Sequence, residues 1–139
     1  MYLRFTTESQ NRSSRAFEGI FGPAYHARSD PSVQYALRRE IAERIDWFER
    51  NLRVPPVVKT ERFRTGICWF SSGASEHVGM ARELSNLLET AGVLMQCHRT
   101  VSPGDILYRD EIQVVARPWR GDIRWARLTG KGVERRFAH

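Results

Sequence analysis

Three things are scarce in this chain of 139 residues. Cysteine occurs only at Cys68 and Cys97, and lysine only at Lys59 and Lys131. No apolar run approaches the ~20 residues that a membrane-spanning helix needs. Neither cysteine belongs to a Cys-x-x-Cys or Cys/His spacing, which argues against a disulfide framework and against zinc. Each lies in an apolar stretch and reads as a buried, reduced thiol. Met1-Tyr2-Leu3-Arg4-Phe5 has no apolar h-region and no small-residue cleavage site, so no signal peptide is expected and the cytoplasm is the expected location.

Other features are plentiful. A hydrophobic fraction of 41% with seven Phe, four Tyr and four Trp fits a packed globule. The length fits one domain over 1–139, large enough to bury a core without staples. All but two of the 22 basic residues are arginine, whose planar guanidinium suits bidentate contacts to phosphate or carboxylate. The net charge of +6 is unevenly placed. Residues 1–116 are nearly balanced, whereas 117–139 carry seven basic side chains against Asp122 and Glu134.

Hydrophobic periodicity predicts an α/β fold. Tyr2–Thr7 alternates as a strand with Leu3 and Phe5 inward, and the polar stretch Glu8–Arg15 reads as a loop. Phe17, Ile20, Phe21, Ala24 and Tyr25 recur at helical spacing, but Gly22-Pro23 favours a turn and a short helix. Asp30-Pro31 reads as the start of a long helix whose stripe is Val33, Leu37, Ile41, Ile45, Phe48 and Leu52. Tyr35 and Trp47 widen that stripe, which suits either deep packing or a homodimer contact. Pro55-Pro56 stops the helix, and a connector follows to Arg64.

The apolar run Gly66–Phe70, the helix Glu76–Ala91 with Gly92 as its stop, and the strand Val93–His98 predict a parallel β-α-β crossover over 66–98. Ile106–Tyr108 and Ile112–Ala116 flank Arg109-Asp110-Glu111, predicting an antiparallel hairpin over 106–116. The run Leu107-Tyr108-Arg109-Asp110-Glu111, followed by Val114-Val115, locally resembles the opening strands of ribosomal large-subunit pseudouridine synthases. The likeness spans about eleven residues and implies a hairpin. The family's catalytic Gly-Arg-Leu-Asp segment is absent from the sequence, so no activity carries over. The expected architecture is a small single domain, with two main helices packed on a mixed sheet.

Two groups of residues are candidates for binding. A parallel crossover would gather Ser71, Ser72, Gly73, Ser75 and His77 beside His98 and Arg99 at the strand ends, where open α/β sheets take their ligands. Free N–H groups, a helix dipole and Arg99 would favour an anion there. The plainer reading is helix capping by Ser72 or Ser75, since the turn has no P-loop lysine and no Gly-x-Gly-x-x-Gly spacing. The second group is Arg117, Trp119, Arg120, Arg124, Trp125, Arg127, Lys131, Arg135 and Arg136. Arginine for phosphate and aromatics for stacking compose an RNA or single-strand surface. An acidic protein surface would satisfy the same charge, and a solvated edge strand over Asp122–Leu128 is the plain alternative.

Asp105, Asp110 and Glu111 could hold a metal, but Asp110 and Glu111 read better as turn residues. His26 and His139 belong to no ligand spacing. The leading expectation is a non-enzymatic basic module that contacts nucleic acid, with no metal, cofactor or membrane. An accessory or inhibitory subunit docking on an acidic partner comes next. A small phosphate-ester hydrolase or transferase at the Ser71/His98 edge comes third.

Overall fold

A computed structural model describes residues 1–10, 17–55 and 66–119. Its elements run β1 (Tyr2–Gln10), β2 (Phe17–Gly19), α1 (Phe21–Ser29), α2 (Tyr35–Asn51), β3 (Ile67–Ser71), α3 (Ser75–Thr90), β4 (Gln96–Thr100), β5 (Asp105–Arg109) and β6 (Gln113–Arg117). The fold is α/β, with three helices among the described residues and a sheet whose pairings among the described strands are all antiparallel, not the mixed sheet expected.

β1 organises the sheet. Along one edge it pairs with β4, Tyr2 opposite Thr100 through Thr6 opposite Gln96. Its other edge is shared. Tyr2 and Leu3 pair with Ser71 and Phe70 of β3, and from Thr6 onward the partner is β2. β6 continues from β3, and β5 closes that side as a hairpin with β6.

The crossover therefore differs from the expected one. β3 and β4 both oppose β1, so they run in the same direction, but they are not neighbours: β1 lies between them. The returning strand also starts later than expected, at Gln96. Gln96, Cys97 and Arg99 are exposed, as suits a strand at an edge, whereas Leu3 and Phe5–Thr7 of β1 are buried, as suits a centre. Cys97 is accordingly exposed rather than buried, and Cys68 is partly buried.

Other boundaries also move. β1 runs on to Gln10, through part of the expected loop. Phe17 belongs to β2, and α1 opens at Phe21, with Pro23 in its first turn, where its missing N–H costs no helix bond. Asp30 does not start α2. Its N–H bonds Ala27 O at the end of α1, while its Oδ1 accepts from the N–H and Oγ of Ser32. α2 then begins at Tyr35. The connector over 56–65 and the proposed edge strand over 122–128 lie outside the described residues.

The alternation of β1 and the stripes of the helices meet in the main core. Leu3, Phe5 and Phe70 from the sheet pack against Ala24 and Ala27 of α1, Ile41, Ile45 and Phe48 of α2, and Val78, Ala81, Leu84 and Leu88 of α3. Fully burying each large aliphatic or Phe side chain contributes ~2 kcal/mol. On the other face of the sheet Ile67, Trp69 and Val114 cluster with Tyr2. Trp47 packs at the rim of the main core, edge-on to Phe48 with centroids 5.1 Å apart, while Tyr35 is exposed under the guanidinium of Arg38.

Gly104 precedes β5 with φ +124°, and a Cβ there would clash with the backbone carbonyl of Arg117. Gly92, after α3, has φ +94° but open space around it. Gly104→Ala should therefore cost about 4 kcal/mol and Gly92→Ala only about 1 kcal/mol, read from urea midpoints. Equal losses would show that the close approach to Arg117 is not a constraint.

Candidate functional site

The Ser-rich turn and the strand ends do share an edge of the sheet. Ser71 and Thr100 face Tyr2 from opposite sides, so Tyr2 keeps them two strand spacings, about 10 Å, apart. The N–H of Ser72 donates to Met1 O, and that of Ala74 to Ser71 O. Neither Ser72 nor Ser75 caps α3: the cap position is Ala74, with no side-chain cap bond. Glu76 in the first turn sets a carboxylate at the positive end of the helix dipole, opposing an anion there.

The two histidines are held elsewhere. His77 Nε2 lies 2.8 Å from Asn51 O at the end of α2, and its ring packs edge-on to Trp47. His98 Nε2 lies 2.9 Å from Thr6 Oγ1 on the adjoining strand β1. Arg99, the next residue along the pleat, is exposed on the other face. The turn residues Ser71, Ser72, Gly73 and Ser75 are thus together, while His77 belongs to the α2 contact and His98 and Arg99 face opposite ways. Among the described residues, no group of three or more His, Cys, Asp or Glu could hold a metal ion.

The second group begins at a well-built corner. Asp105 opens β5 opposite Arg117, the last residue of β6. Its Oδ1 accepts the indole N–H of Trp119 at 3.0 Å, and its Oδ2 lies 3.5 Å from Arg117 Nη2. Both members of this ion pair are about half exposed, so water weakens it and the guanidinium can exchange partners. Pro118 is buried between them, and Trp119 remains 46% exposed, its N–H fixed and its ring accessible. Only Arg117 and Trp119 of this group fall among the described residues. Arg120, Arg124, Trp125, Arg127, Lys131, Arg135 and Arg136 lie outside them.

At the other end of the β5–β6 hairpin Asp110 is a turn residue. Its Oδ1 accepts the N–H groups of Ile112 and Gln113 at 2.8 and 2.9 Å, and its Oδ2 accepts the Tyr108 hydroxyl at 2.8 Å. Gln113 Nε2 also reaches Asp110 Oδ2 and donates to Arg53 O at 2.6 Å, tying the turn to the exit of α2. Burial pushes the Asp110 carboxyl upward, but the bonds from Ile112, Tyr108 and Gln113 outweigh it and hold it below the usual carboxylate range. His26 is exposed, 4.0 Å from Asp30.

No protein-family model, no curated protein and no solved structure matches the chain. No helix among the described residues is long and apolar enough to cross a membrane.

A depressed carboxyl stabilises the fold above its unfolded value of ~3.9 and loses that contribution as pH falls through the folded value. Asp110→Ala should lower stability by about 2 kcal/mol at pH 6, with the gap to wild type narrowing as pH falls below the usual carboxylate range. Urea titrations across pH 2.5–7 check this, and a pH-independent gap would remove the carboxylate's role.

Proposed function

We propose that this protein is a non-enzymatic binding module that contacts nucleic acid through its carboxy-terminal Arg/aromatic segment. The observation carrying this reading is the segregation of charge: residues 117–139 hold +5 of the chain's net +6. Arg117 and Trp119, the described part of that segment, support it, because they offer an exchangeable guanidinium and an accessible indole face at one corner. Arginines would replace condensed counterions on the phosphates, and exposed aromatic faces would stack on unpaired bases. An acidic protein surface is the rival partner, since the same charge would recognise it.

Fluorescence anisotropy of the full chain with a labelled single-stranded RNA separates the two. With about six phosphate contacts, the logarithm of affinity should fall with the logarithm of salt at a slope of about −4. Arg120→Glu with Arg124→Glu should lessen that slope, and Trp119→Ala should cost about 1–3 kcal/mol of binding. No binding at low salt, together with salt-sensitive capture of an acidic protein, would overturn the nucleic-acid reading in favour of the protein one.

A further inference from the structure

Asp105 and Arg117 stand directly opposite one another at the open end of the β5–β6 hairpin, and β5 is the outermost strand on this side of the described sheet. Facing residues of an antiparallel pair carry their side chains on one side of the sheet, with Cβ atoms about 5 Å apart. Trp119 returns to the same carboxylate two residues later. Pro118 between them is buried, and its ring fixes its φ, which limits how far the indole can swing. A carboxylate, a cation and an aromatic ring thus share one exposed corner.

The carboxylate does not hold its two partners equally. Oδ1 takes the indole N–H at 3.0 Å, an ordinary hydrogen-bond length. Oδ2 lies 3.5 Å from Arg117 Nη2, well beyond the roughly 2.8 Å of a tight charge-assisted bond. A guanidinium is best matched by two oxygens of one anion. Asp105 offers Arg117 only one, because the other is committed to Trp119. A phosphodiester would offer both of its free oxygens. Exchanging Asp105 for phosphate therefore costs Arg117 little, and the indole anchor can stay in place.

We propose that Asp105 is an internal stand-in for phosphate in a one-nucleotide subsite. It holds Arg117 until a phosphate of single-stranded RNA replaces it, and it keeps the Trp119 ring set for the adjoining base. This role rests on the nucleic-acid reading above and deepens it. The two effects of Asp105 on affinity oppose each other. Its charge competes with phosphate for Arg117, whereas the oxygen that accepts the indole N–H orders the ring beforehand and lowers the entropy cost of stacking. Asparagine separates the two, since its amide oxygen can still accept from the indole while the charge is gone.

Anisotropy titrations of labelled single-stranded RNA with variants of the full chain test this. Asp105 is half exposed, so its substitution leaves the core untouched. Asp105→Asn should bind about threefold more tightly than wild type at low salt, and the gain should fade as salt screens the missing charge. Asp105→Ala, which also frees the indole, should bind more weakly than Asp105→Asn. Glu111→Gln makes the same change in net charge at the other, exposed end of the hairpin and should leave affinity nearly unchanged. No RNA binding by wild type or any variant would overturn the nucleic-acid reading itself, and the subsite with it. Where wild type does bind, three results would each overturn the role of Asp105 alone: an Asp105→Asn affinity at or below wild type, a gain matched by Glu111→Gln, or equal affinities of the Asn and Ala variants.

Discussion

β1 has two hydrogen-bonding edges and, among the described strands, three partners, and much of the molecule follows from how that mismatch is settled. One edge is given wholly to β4, while the other is divided between β3 and β2. A divided edge cannot satisfy every backbone group by a regular ladder, and buried groups left without partners are costly. Arg4 answers part of this by sending a side-chain donor to the Cys68 carbonyl. The Arg4 guanidinium thus lies where the edge of β1 passes from β3 to β2.

The hairpin shows a second way of closing a sheet. At its turn, Asp110 gathers backbone donors and the Tyr108 hydroxyl onto one carboxylate. At its open end, Asp105 meets both Arg117 and Trp119, and Gly104 permits the close backbone approach. The two ends differ in kind. The turn is held by bonds inside the hairpin, whereas the open end presents a cation and an aromatic ring to solvent at the start of the basic segment.

Local patterns were the legible part of the sequence. The stripe of Ile41, Ile45 and Phe48, the inward Leu3 and Phe5, the stop at Gly92 and the turn chemistry of Asp110 each depend on a few neighbouring residues. The neighbours of strands were not legible, because same-direction strands joined by a helix need not touch, and no local signal marks β1 as the strand between them. The apolar run Val93–Cys97 reads as a buried strand segment, whereas the strand begins at Gln96 and lies at an edge, which leaves Cys97 exposed. Arg4 was hidden for a related reason. Alternation assigns it to the face opposite the main core, and nothing local announces that its guanidinium reaches the Cys68 carbonyl of β3. Asp30-Pro31 carried a true helix-boundary signal, but Asp30 serves the end of α1 and a turn at Ser32 instead.

The central place of β1 also has a consequence in time. β1 precedes all its described partners in the chain, and its longest pairing joins Tyr2–Thr6 to residues ninety or more positions later. During vectorial synthesis it emerges before Gln96–Thr100, and the edge that β4 covers stays open until those residues have been made. Contacts of such separation slow folding, and an unpaired strand edge is where association between chains begins. The last described partner of β1 in the chain is the polar, mostly exposed β4, and the residues of the main core all precede it.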